Sequence, residues 1–129
     1  MSDKRRASHR YGLRAEKIAA WYLRFKGYRI VSERYRNAYG EIDLLAKRGD
    51  TLAVEVKARQ SFEACADTVP PWKQQKIARA MEGFLAGQRS TQGGKIAGLP
   101  KATSRNIRFD VIWIAPKHLP RHIQDAWRL

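Results

Sequence analysis

From Gly12 to Lys26 the apolar positions Ala15, Ile18, Ala19, Tyr22 and Phe25 recur at helical spacing, which predicts an amphipathic helix ended by Gly27. Tyr28 to Tyr35 is rich in β-forming residues and reads as a strand. The period then becomes two. Ile42, Leu44 and Ala46 alternate with Glu41, Asp43 and Leu45, and Leu52, Val54 and Val56 alternate with Ala53, Glu55 and Lys57. A reversal centred on Gly49, flanked by Arg48 and Asp50, turns these runs into a hairpin with one apolar and one polar face. Asp43 is then expected opposite Glu55, and Glu41 opposite Lys57. Pro70 and Pro71 precede a second helix, whose core stripe is Ile77, Ala80, Met81 and Phe84. The stretch from about 88 to 104 holds Gly93, Gly94, Gly98 and Pro100 without a sustained period, and reads as a long mobile loop. Arg108 to Ala115 reads as a further strand, buried on both faces along Val111 to Ile114. After Pro116 only short turns are expected, with Trp127 docking the end of the chain.

Composition narrows the class. A chain of 129 residues with 43% apolar content suits one domain, with residues 1–10 as a flexible basic tail and 11–129 as the folded unit. The net charge of +14, from 26 Lys and Arg against 12 Asp and Glu, implies a polyanionic partner, nucleic acid first. No segment approaches the roughly 20 apolar residues that span a bilayer, so no membrane partner is expected. The single cysteine, Cys65, forms no internal disulfide, and the basic N-terminus has no apolar signal core; the expected location is the cytoplasm of a prokaryote.

The hairpin carries the chemistry. Two carboxylates held on rigid strands attract a hard divalent cation, and an ammonium beside them steadies charge that builds at a phosphate under attack. An isolated Glu-x-Lys on a strand is usually a solvated ion pair; Asp43 in register and the basic background add a hint of phosphodiester hydrolysis. Glu41 is open to two readings, an outer ligand or the partner of Lys57. His118 and His122 are spaced four apart, but Pro120 between them argues against a helical zinc pair. The cations Arg59, Lys73, Arg89, Lys95, Lys101 and Arg105 are candidates for contact with a phosphate backbone, by charge and shape rather than base sequence.

A wider set of residues carries a family resemblance. Glu16 on the first helix, Gly27-Tyr28, Gly40-Glu41-Ile42-Asp43, Val54-Glu55-Val56-Lys57-Ala58-Arg59, Lys73-Gln74-Gln75 and Arg108-Phe109-Asp110 together resemble the YraN-like family of bacterial proteins, over residues 11 to 127. That family resembles the restriction-endonuclease-like, PD-(D/E)xK nucleases, among them the archaeal Holliday-junction resolvases. The resemblance implies a single α/β domain, a mixed sheet flanked by helices. It places the shared signature on Asp43, Glu55 and Lys57, with Glu16 matching an acidic residue of the first helix. Ile42 stands where that signature often has Pro. The implied activity is a metal-dependent endonuclease, with Mg²⁺ or Mn²⁺ held by Asp43, Glu55 and the main-chain carbonyl of Val56. Lys57 would position or deprotonate the attacking water. DNA is favoured over RNA as substrate, branched DNA would suit a homodimer, and the alternative is a non-catalytic or partner-dependent nucleic-acid-binding module on the same scaffold.

Overall fold

The computed structural model describes residues 3–92 and 107–128, with side chains described from Tyr11 to Gly87 and from Ile107 onward. The first helix, α1 (Asp3–Phe25), starts inside the segment expected as a tail. No proline or glycine interrupts the Lys- and Arg-rich run before Gly12, so nothing in it opposes helix. The helix ends as its sequence predicts. Gly27 adopts φ 93°, its N–H bonds to the Arg24 carbonyl at 3.0 Å, and the Tyr28 N–H bonds back to Leu23 at 2.9 Å.

Three antiparallel strands follow, β1 (Arg29–Asn37), β2 (Gly40–Arg48) and β3 (Asp50–Ala58). Gly49, at φ 75°, centres the turn between β2 and β3, with Arg48 paired to Asp50 as expected. A crossover carrying α2 (Phe62–Cys65) and α3 (Pro71–Gln92) leads to β4 (Ile107–Ile114), which lies parallel to β3. The last strand, β5 (Arg121–Trp127), pairs antiparallel with β4, where only turns were expected. The result is a five-stranded mixed sheet in the order β1-β2-β3-β4-β5, flanked by helices in one α/β domain. Helix α3 runs to Gln92, so the start of the expected loop is helical; residues 93–104 lie outside the described residues.

Both faces of the sheet are covered. Ala15, Ala19, Ala20 and Leu23 of α1 pack on Leu44, Ala46, Leu52, Val54 and Ile112. On the other face Ile77, Ala80, Met81 and Leu85 of α3 pack on Ile42, Leu45, Ala53 and Val111. The hairpin therefore has no solvated polar face. It also breaks the expected alternation, because Ile42 joins the α3 layer while Leu44 and Ala46 join the α1 layer. Opposite this switch, between the pairs Glu33↔Leu44 and Tyr35↔Ile42, Arg34 holds φ 55° and departs from the pleat. Asp43 sits at the switch.

A buried charged network ties β5 to the sheet. Asp110 is fully buried and accepts both Arg108 Nε and Nη2 at 2.9 Å, the Asp125 N–H at 2.9 Å, and His122 Nε2 at 2.7 Å. Lys26 Nζ donates to His122 Nδ1 at 2.8 Å, so the imidazole proton belongs on Nε2, facing Asp110. Burial pushes the Asp110 carboxyl up, but the bonds from His122, Arg108 and the Asp125 N–H outweigh it and hold the group below its usual range. Removing one partner of such a group strands the other, so Asp110→Ala is expected to destabilise the fold by about 3 kcal/mol. The check is a urea titration followed by circular dichroism; an unchanged midpoint would mean that the network contributes nothing net.

Candidate active site

Asp43, Glu55 and Lys57 meet at one end of the sheet, in a cleft of about 450 Å³ that also takes in Glu16, Arg59 and Lys73. The ladder between β2 and β3 stops at Leu44↔Val54, short of the expected Asp43↔Glu55 pair. Instead the Asp43 carboxylate accepts the Val56 N–H at 2.9 Å and replaces the next rung. Burial raises the Asp43 pKa to about 7, and the charge of Glu55 adds to the rise; the Val56 N–H and Lys73 oppose it without cancelling it. Glu55 is itself buried, on the central strand. Two desolvated carboxylates thus face each other with too little positive charge between them.

The amine expected beside them is held elsewhere. Lys57 Nζ donates to the Cys65 carbonyl at 3.2 Å. That carbonyl belongs to α2, a single turn whose Ala64 N–H is capped by the Ser61 hydroxyl at 3.1 Å. Burial lowers the Lys57 pKa, with Asp67 pulling the other way. Such an amine loses its proton more readily than a solvated lysine, which suits it to proton transfer. Lys73 instead reaches the acid pair, its Nζ 2.6 Å from Glu55 Oε1.

Glu41 is not the partner of Lys57: it is exposed and pairs with Arg36, while its charge is felt by Asp43 and Glu16. Glu16 does reach the cleft, since α1 packs against the sheet there. Its pKa is raised, by burial first and then by Asp43, while Arg34 opposes the rise from 3.7 Å. Among the described residues no three His, Cys, Asp or Glu side chains form a ready metal cage. The carboxylates of Asp43 and Glu55 line the cleft, with the main chain of Val56 at its edge. Among the described residues, no histidine or cysteine side chain lines the cleft. Oxygen donors alone fit a hard cation such as Mg²⁺ or Mn²⁺ rather than zinc.

A second cavity, of about 620 Å³, lies between the Tyr11 and Gly12 turn of α1 and the end of β3. It shares Glu16, Val56 and Arg59 with the first, so the two adjoin beside the acid pair. Arg59 therefore stands at a position to meet a chain lying along both. Lys95, Lys101 and Arg105 lie outside the described residues, as does the side chain of Arg89. His118 and His122 do not come together as a pair: His122 serves Asp110, and His118 packs on Phe62 at 4.9 Å between ring centres. The sequence reading missed the Lys73 contact with Glu55, the anchoring of Lys57 by α2, and Arg34 beside Glu16. The only advance signal was the placement of Lys73 just after Pro70-Pro71, at a helix start.

Comparison with known proteins gives a consistent picture. A family model described as "Uncharacterised protein family UPF0102" matches residues 15–114. A UPF0102 protein of Parvibaculum lavamentivorans is 42% identical over 123 residues, covering 95% of this chain and 84% of the relative. One from Bradyrhizobium diazoefficiens is 43% identical over 127 residues, covering 98% and 87%. One from Rhodopseudomonas palustris is 44% identical over 127 residues, covering 98% and 86%.

Proposed function

The chain belongs to the uncharacterised protein family UPF0102, the YraN-like group that its motifs resemble, and we propose from its site that it is a metal-dependent endonuclease. The observation that carries this reading is the buried, undercompensated pair Asp43 and Glu55, in a cleft bordered by Lys57, Arg59 and Lys73. A binding module gains nothing from concentrating negative charge where phosphates must approach. A site that takes up a divalent cation gains the ligands it needs.

Asp43 and Glu55 would hold Mg²⁺ or Mn²⁺, with the main-chain carbonyl of Val56 beside them. When bound, the metal would act as a Lewis acid on a phosphate oxygen and lower the pKa of a water. Lys57 orients that water or takes its proton, and its ammonium form offsets charge on the pentacovalent phosphate. The Cys65 carbonyl holds Lys57 in the lining of the cleft. Arg59 holds the phosphate backbone where the two cavities adjoin, and Glu16 borders the acid pair from α1. The net charge of +14 draws in a nucleic acid from a distance; it is the nuclease resemblance that favours DNA over RNA. Among the described residues no helix is long and apolar enough to cross a membrane.

The test is a cleavage panel of the purified full chain against linear, flapped and four-way DNA and matched RNA, with Mg²⁺, Mn²⁺ or EDTA. Metal-dependent cutting of at least one of these substrates is the expected result. Silence on every substrate, with salt-sensitive binding intact, would replace the enzyme with a binding module on a nuclease scaffold.

A further inference from the structure

Glu55 already has a cation. Lys73 Nζ lies 2.6 Å from Glu55 Oε1, a charge-assisted hydrogen bond, while Lys57 is turned to the Cys65 carbonyl at 3.2 Å. The two partners differ in their freedom to move. The Glu55 side chain is 9% exposed on the central strand, whereas that of Lys73 is 42% exposed and hangs from the first turn of α3. A flexible four-carbon stem on a half-exposed helix start can swing to the cleft mouth without disturbing the sheet. The carboxylate has no such freedom. The oxygen that Lys73 occupies is one that a bound divalent cation would need.

Building on the nuclease reading, we propose that the Lys73 ammonium is a built-in counter-cation that holds Glu55 until a divalent metal displaces it. Metal loading and release of Lys73 are then one event. Before loading, Lys73 offsets part of the repulsion between Asp43 and Glu55, and so protects the fold. After loading, the freed ammonium stands near Arg59 at the cleft mouth and adds positive charge for a phosphate. The arrangement weakens metal binding, because apparent affinity scales with the fraction of molecules in which Lys73 is away from Glu55. For a hydrogen bond between charged groups, that reduction is about tenfold or more.

Lys73→Met keeps the length of the stem and removes its charge. Mn²⁺ titration followed by electron paramagnetic resonance is expected to show the Met variant binding about tenfold tighter than wild type. In EDTA the same variant should unfold at lower urea than wild type. Lys73→Arg, which keeps the cation, should gain no affinity. In wild type the Lys73 side-chain resonance, assigned by its loss from the Met variant, should move on addition of Mg²⁺. A Met variant that binds Mn²⁺ no more tightly, or a Lys73 resonance unmoved at saturating Mg²⁺, overturns the displacement while leaving the metal site standing. If neither wild type nor variant binds Mn²⁺, the metal reading falls, and this inference with it.

Discussion

Asp43→Asn is expected to stabilise the metal-free protein above neutral pH while abolishing divalent-metal binding and cleavage. The folded-state pKa of Asp43 is raised from 3.8 to about 7, by burial first and by Glu55 second. Between those values the folded state holds a proton that the unfolded chain has lost. Stability supplied by the protonated carboxyl is therefore fully present below pH 4, and is lost as pH rises through about 7. An amide has no charge to bury, and its oxygen can still accept the Val56 N–H. The advantage of the variant should grow across this window to at most about 4 kcal/mol in EDTA, since a tenfold difference in proton affinity between the folded and unfolded states corresponds to about 1.4 kcal/mol. Saturating Mg²⁺ should reverse the order, because the metal stabilises only the protein that binds it. Urea titrations from pH 4 to 8, with EDTA or Mg²⁺, supply the check. A difference that does not change with pH would mean that Asp43 is not the strained acid of the cleft.

Lys57→Ala is expected to lower the cleavage rate by about 10²- to 10⁴-fold, the usual contribution of a positioned proton-transfer group. Metal and DNA affinity should change little. Lys57 bonds to the Cys65 carbonyl rather than to either acid, so its loss leaves the ligand pair intact. Lys57→Arg separates two roles. Arginine keeps the positive charge but does not give up its proton, so partial activity would assign charge compensation and full loss would assign proton transfer. Single-turnover kinetics on whichever substrate the panel identifies make the measurement, and a rate equal to wild type in Lys57→Ala would remove this residue from the chemistry.

What the sequence displayed was local. Gly27 ended α1 and Gly49 centred the hairpin because both need a left-handed backbone, which only a few residues supply cheaply. The acid positions were readable because strand alternation ties Glu55 to Lys57 two residues on. What stayed hidden depends on distant partners. Strand β5 has little apolar alternation and carries Asp125 at φ 53°; it is held in place by Asp110, through His122 and the Asp125 N–H. The break in alternation at Asp43 lies opposite Arg34 of the neighbouring strand, at φ 55°, in a sheet whose two faces are both covered by helices. The pairing of Lys73 with Glu55 spans 18 positions and follows from where the crossover sets α3 down, which no periodicity encodes.

On the proposed metal reading, the same burial that makes Asp43 costly to ionise would make the pair selective. A weakly hydrated or singly charged ion offers less to offset two desolvated carboxylates than Mg²⁺ or Mn²⁺ does. The most direct measurement is therefore anomalous X-ray scattering from crystals grown with Mn²⁺. The expected result is a single strong peak, or a close pair, between the Asp43 and Glu55 carboxylates, with Lys73 withdrawn from Glu55. Saturating Mn²⁺ with no peak there, and Lys73 still bonded to Glu55, would contradict the account.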